Sequence, residues 1–371
     1  MTHVLIIGAG IIGAALAERL AATDHVTVVD EGPPGDGTTG TSLAWINANK
    51  TPDPDYFRFR VQAMRAWAET AARMGHPPWY VPTGDLAWAR TPTARSELST
   101  RVRHLKERGY AADLLTADEA RAIEPHLAIP ADALVAHFPD ERHVHGARAA
   151  RDFIARARRA KAHMVTGRVE SLDIHAGRVR GARLADGAIS ADITVCAAGW
   201  RTPELLATAD AVAPIQDPHR PGAPAVCLVA TTTPAPGALR GLVHGTDLYA
   251  RPTADGGLLL EAGDIDAAVD LDTPRSVLDS WADDLMARAR AILPSALDHS
   301  RVAAVRRCIR PLPDDGLPVV GWVLPGLYTA VTHSGITLAP HLAALIAEEL
   351  TSPTPAAPLE PYRPHRPGSP T

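Results

Sequence analysis

The chain has 371 residues, 46% hydrophobic and 21% charged, with a formal charge of −5 and a sequence pI near 6.3. That length points to two connected domains with ample core, and the lack of a basic excess excludes nucleic acid as an expected partner. Three scattered cysteines, Cys196, Cys227 and Cys308, form no C-x-x-C pair, which argues against a disulfide framework or a zinc site and for a reducing compartment.

The first apolar run starts at Val4 without a basic leader, and Glu18 and Arg19 interrupt it short of the ~18 apolar residues of a membrane span. No membrane span and a cytoplasmic location are therefore expected. Within "HVLIIGAGIIGAALAERLAATDHVTVVDEG", a strand at Val4 to Ile7 is followed by Gly8, Gly10 and Gly13, an alanine-rich helix, and a second strand at Val26 to Val29 ending on Asp30. Gly8 permits the tight turn, Gly10 lets the backbone approach a pyrophosphate, and Gly13 lets helix pack on strand. The helix N-terminus at Ile11 and Ile12 offers free N–H groups to anionic oxygens. Asp30 lies 22 positions after Gly8, close to the ~20 expected of an acid on the adenosine ribose, with Glu31 as the alternative. An acid there favours NAD or FAD over NADP; the spacing does not choose between the first two.

Next comes "GPPGDGTTGTSLAWINANK", a Gly-, Thr- and Ser-rich loop where a nicotinamide-binding domain would continue into a helix. "PDYFRFRVQAMRAWAETAARMG" reads as a helix with Phe57, Val61, Met64 and Ala68 on its core face. His143 and His145 lack any metal-ligand spacing and read as surface or packing residues. "VTGRVESLDIHAGRVRGARLADGAISADITVCAAGW" predicts short antiparallel strands and a buried strand, Ile193 to Ala197, meeting Ala198 and Gly199. Strands around 225–231 and 257–262 suggest a mostly antiparallel sheet. After "CIRPLPDDGLPVVG", the segment "GLYTAVTHSGITLAPHLAALIAEEL" predicts a strand at Leu327 to Val331, a turn at His333 to Thr337 and a helix at Leu338 to Leu350. Proline then recurs every third residue (355, 358, 361, 364, 367, 370), the period of polyproline II, in an end expected to be extended or disordered.

These patches, in this order, resemble the D-amino acid oxidase, glycine oxidase and sarcosine oxidase superfamily of FAD-dependent oxidoreductases. The resemblance implies an α/β, Rossmann-like FAD-binding domain from residues 1–50, 146–215 and 301–350, and a discontinuous, mostly antiparallel α+β substrate domain from 51–145 and 216–300. It places Thr38, Thr39, Thr41 and Ser42 along the cofactor phosphates, Trp45 to Lys50 near the flavin, Val169 at the adenine, and Ala198 and Gly199 near the pyrophosphate. The helix amides at Gly335, Ile336 and Thr337 would face the charge that reduction places on the flavin N1 and C2 oxygen.

Arg310, in the Arg-Pro motif, would hold a substrate carboxylate, for which a planar guanidinium is suited; the alternative is an ion pair with Asp314 or Asp315. Cys308 falls where the sarcosine oxidase branch attaches FAD covalently, yet the following Arg-Pro belongs to the non-covalent branch. Non-covalent FAD is therefore expected, with attachment at Cys308 as the alternative. Tyr249, Lys50 and His333 are the other polar candidates near the ring. The implied activity is oxidation of the C–N bond of an amino acid or N-alkyl amino acid, with oxygen or a quinone or other electron carrier as acceptor. A 2-hydroxy acid dehydrogenase and a non-catalytic FAD-binding protein are the rivals.

Overall fold

The computed structural model describes residues 1–352 and 354–366. Its first sheet has six strands in the order Val319–Leu324, Leu327–Val331, Ile193–Cys196, His3–Ile7, His25–Asp30 and His163–Thr166, parallel except for the antiparallel first pair. Its central strands are continuous apolar runs because both faces are covered. Helices Ile11–Leu20, Gly146–Arg159 and Gly335–Thr351 lie over one face. A small three-stranded sheet (Val169–His175, Arg178–Leu184, Gly187–Ser190) and the helix Thr202–Ala207 lie over the other.

Close packing of the first helix depends on glycine. A Cβ at Gly13 would stand 2.0 Å from the Gly8 carbonyl oxygen, and Gly8 itself, at φ +106°, faces the Ala197 carbonyl oxygen at 2.4 Å. No side chain fits either place.

The second sheet has eight strands in the order Val302–Ile309, Val226–Thr232, Leu258–Glu261, Tyr249–Pro252, Leu242–His244, Asp85–Ala89, Leu134–Phe138 and Asp113–Leu115. Every pairing is antiparallel except the seam between Leu242–His244 and Asp85–Ala89, which joins strands from the two insertions. Helix Arg275–Ile292 buries Leu278, Ala282, Leu285 and Met286 against it. Val302–Ile309, grouped by sequence with the cofactor sheet, is hydrogen-bonded into this second sheet.

Several local expectations need correction. The Gly37–Ser42 loop contains a helical turn, Thr38–Thr41. The last helix starts at Gly335 rather than Leu338, so Gly335, Ile336 and Thr337 are its first turn. Pro340 inside it cannot donate to the Ile336 carbonyl, and the Trp67 indole donates there instead at 2.7 Å. That helix and the long one, Pro54–Arg73, are thereby pinned together. The long helix starts on Asp53, whose side chain accepts from the Tyr56 N–H, with proline in its first turn. Its buried residues are Tyr56, Phe57, Phe59, Arg60, Ala63, Trp67, Thr70 and Ala71; Val61 and Met64 are half-buried and Ala68 is exposed. The expected stripe is thus rotated, because the buried face includes Arg60, which a purely apolar pattern skips. His143 and His145 are packing residues, His143 being fully buried.

The proline-rich end is docked as far as it is described. Ala357–Tyr362 forms a 3-10 turn that buries Leu359 and Tyr362, with the Tyr362 ring 4.7 Å from that of Phe59. Arg363 donates to Glu349 at 2.9 and 3.0 Å, and Arg366 to Asp315 at 2.7 and 2.8 Å. Pro367 and Pro370 lie outside the described residues. Among the described residues no helix is long and apolar enough to cross a membrane.

Candidate active site

One cavity of about 900 Å³ runs from the glycine turn of the first sheet to the face of the second. Such a volume is near the upper end of the range for small-molecule and cofactor sites, roughly 300–1,000 Å³. Gly8, Gly10, Ile11, Ile12, Asp30, Glu31, Thr38, Thr39, Ser42, Val169, Ala198 and Gly199 line its first half. Gly13 and Thr41 do not: Gly13 serves the helix packing, and Thr41 is buried beneath the wall, hydrogen-bonded to the Gly37 carbonyl and beside Cys308.

The Asp30 carboxylate is already fixed by the backbone. One oxygen accepts from Ala9 N–H at 2.6 Å and the other from Gly32 N–H at 2.9 Å. Each oxygen keeps a second lone pair for a ribose hydroxyl. Glu31 pairs with Arg201 at 3.4 Å. The Thr39 hydroxyl accepts from Ile11 N–H at 3.0 Å, and Thr38 donates to the Ile309 carbonyl at 2.5 Å, tying the turn to the second sheet. At Gly37 and Gly199 a Cβ would enter open space, so the backbone itself forms the wall there. A cradle of bare backbone with an oriented acid fits a dinucleotide such as FAD.

The far half is a wall of side chains. Trp45, Asn47, Lys50, Arg60, Cys227, His244, Tyr249, Glu261, Cys308, Arg310, His333 and the first turn of the last helix all border it. Thr337 connects the layers, donating to the Trp45 carbonyl at 3.0 Å. Arg60 donates to the Asn47 carbonyl and side chain at 2.9 and 3.0 Å and to the Ser334 hydroxyl at 2.5 Å, so a charge with no carboxylate partner among the described residues stands beside the last helix's N-terminus. His333 carries accessible surface that belongs to the cavity, yet burial and then the charges of Arg310 and Arg60 push it down to about 4, so it is neutral at physiological pH.

Arg310 does not pair with Asp314 or Asp315. Its Nη2 donates to Glu261 at 2.9 Å and to Asp266, while Nε and Nη1 have no protein partner among the described residues. The two acids thus fix the guanidinium from behind and leave donors for a ligand. Burial, then the Asp266 charge, push Glu261 up to about 8. Cys308 and Cys227 stand opposite each other on adjacent antiparallel strands, and both are free thiols. Tyr249 pairs in register with Glu261, and the Lys50 amine sits 5.2 Å from its ring and 5.3 Å from that of Trp45.

A family model described as FAD dependent oxidoreductase matches residues 3–349. The chain belongs to this family. It is 27% identical over 373 residues to a glycine oxidase of Pseudomonas putida, covering 95% of each chain. The crystal structure of a glycine oxidase from Geobacillus kaustophilus superposes with a TM-score of 0.83 at 22% identity, over 99% of both chains. That of an iminodiacetate oxidase from Chelativorans sp. does so with a TM-score of 0.79 at 24% identity, over 97% of this chain and 98% of the other.

Family membership makes this a flavin enzyme, and FAD is the dinucleotide that the cradle accommodates. Asn47 falls within the stretch from Trp45 to Lys50 expected near the flavin, whereas sequence pattern singled out none of Arg60, His244, Glu261 and Asp266. Only Glu261 carried a signal, as the polar end of the apolar strand "GLLLEAGD".

Proposed function

We propose that the chain oxidises the C–N bond of an amino acid or N-alkyl amino acid, with Arg310 holding the substrate carboxylate at the flavin end of the cavity. The observation that carries this reading is the Arg310 triad: a guanidinium oriented by Glu261 and Asp266 on one nitrogen, with the remaining donors free, on the wall facing the last helix's N-terminus. FAD, when bound, accepts the hydride from the substrate α-carbon. The protein positions that carbon: Arg310 fixes the carboxylate, and Tyr249 and Lys50 border the same end of the cavity.

The substrate amine must be neutral before its lone pair can expel hydride. Glu261, held near the ammonium range by burial, is the wall residue suited to take that proton. The resulting imino acid is then hydrolysed by water. The glycine turn, Asp30, Thr38, Thr39 and Ser42 hold the cofactor without a covalent bond, with Cys308 as a packed strand residue beside it. Oxygen or a quinone-type carrier would be the electron acceptor.

The test is anaerobic mixing of flavin-loaded protein with separate sets of amino acids, N-methylglycine and 2-hydroxy acids. Bleaching by amines alone is the expected result; bleaching by hydroxy acids alone assigns a hydroxy acid dehydrogenase, and no bleaching by any set removes the catalytic reading. Acid precipitation should leave all yellow colour in the supernatant, and colour retained in the pellet means attachment at Cys308.

A further inference from the structure

A second cavity of about 320 Å³ lies beyond the flavin end, and Trp45, Lys50, His244 and Tyr249 line both spaces. Two cations look into it. Arg101, from the helix Pro92–Glu107, is half-buried, and Lys50, which is exposed, lines both cavities. Neither makes an ion pair or a hydrogen bond among the described residues, and the Arg101 Nε is buried without any partner. Lys50 has only the rings of Trp45 and Tyr249, at 5.3 and 5.2 Å, and Arg101 only that of Phe138, at 5.7 Å.

The surrounding acids form no ion pair with either cation among the described residues. Asp85, fully buried, is bonded to His244 at 2.8 Å, and burial pushes its carboxyl well above the ordinary range. Glu141, equally buried, accepts from the Trp45 indole at 2.7 Å and the Tyr110 hydroxyl at 2.6 Å, and is pushed up in the same way. Glu97, the other acid on the wall, is exposed. Burial first, then the Arg101 charge, push Lys50 downward against the pull of Asp85, Glu141 and Glu261. The Arg101 Nε, a buried donor without a partner, is costly unless a ligand completes it.

We propose that this side chamber is an anion site that receives a second carboxylate of the substrate, so that the enzyme's substrates are dicarboxylic amino or imino acids rather than simple ones. Lys50 and Arg101 then act as specificity-determining residues, while Arg310 holds the carboxylate next to the reacting carbon; the inference rests on that reading of Arg310. Both requirements are geometric. The chamber shares four lining residues with the flavin end, and Tyr249 links the two cation sites: it pairs in register with Glu261, which holds Arg310, and its ring lies 5.2 Å from the Lys50 amine.

The test uses FAD-loaded protein and non-oxidisable acids, read by the change each produces in the flavin visible band. Acetate, propionate and butyrate are compared with malonate, succinate and glutarate. At least one dicarboxylate should bind about 10-fold or more tightly than its monocarboxylate counterpart, as expected for an added charge-assisted pair. Arg101→Gln and Lys50→Gln should each collapse that ratio toward one while retaining flavin, and Arg101→Lys should restore part of it. No preference, or a preference that survives both substitutions, overturns the proposal. The Arg310 reading is judged separately by acetate binding in Arg310→Ala, which leaves the chamber cations in place.

Discussion

The two ends of the cavity are built on opposite plans. At the adenosine end the wall is largely backbone, glycine turns and helix N–H groups with the fixed carboxylate of Asp30, drawn from short stretches around residues 8–42, 169 and 198–199. At the flavin end it is side chains, with Lys50, Arg60, Tyr249, Glu261 and Arg310 brought from segments far apart and held by buried charge. A backbone cradle tolerates little change of shape, whereas a wall of side chains can be retuned one charge at a time. The side-chain end is therefore the one where chemistry can be set without disturbing the fold.

The sharpest way to break the comparison is at the cradle. Gly13→Val places side-chain atoms where only 2.0 Å is free, so the expected outcome is protein without flavin, or no folded protein, measured by the visible spectrum and thermal melting. Folded, fully yellow Gly13→Val would show the cradle to be more forgiving than its geometry. Asp30→Ala comes next. It leaves the Ala9 and Gly32 amides without partners, each a loss of about 1–3 kcal/mol where buried, as well as removing the ribose acid. Flavin should be lost on dialysis and the melting temperature lowered.

At the other end, effects should fall on substrate and not on cofactor. Arg310→Ala is expected to weaken substrate binding about 10-fold or more, the equivalent of a lost charge-assisted bond worth ~1.5–3 kcal/mol, with flavin content unchanged. Unaltered binding sinks its role. The smallest effect is a pH one. Glu261 is raised to about 8, so kcat/KM should climb through that region as its carboxylate forms, and Glu261→Gln should flatten this limb. Stability moves the opposite way. Between the ordinary carboxyl range and about 8 the native protein holds this proton while the unfolded chain has lost it, so this group's contribution to stability falls as pH rises across that window. Melting curves at pH 6 and 8 should show that loss in the parent and less of it in Glu261→Gln.

Many of the strands were legible because their signals are local. Strand Leu327 to Val331, the register of Gly8, Gly10, Gly13 and Asp30, and the strands near 225–231 and 257–262 all read directly from pattern. What failed was non-local. Arg60 lies buried on a helix face because Asn47 and Ser334, from distant segments, satisfy it. Arg310 finds Glu261 and Asp266 across the second sheet instead of its neighbours Asp314 and Asp315. The proline period of the tail concealed Leu359 and Tyr362, which bury against residues that sequence spacing does not connect to them.

The one parallel seam of the second sheet also sets an order of events in time. Asp85 and His244, bonded across it, are 159 residues apart, so the sheet portion formed by Asp85–Ala89, Leu134–Phe138 and Asp113–Leu115 keeps an open edge until Leu242–His244 has been synthesised. Long-range pairing of this kind is slow, and an unpaired edge is a place for wrong partners to join. Substitutions in Leu242–His244 should therefore lower the yield of soluble protein during expression more than they lower the melting temperature of the molecules that succeed in folding.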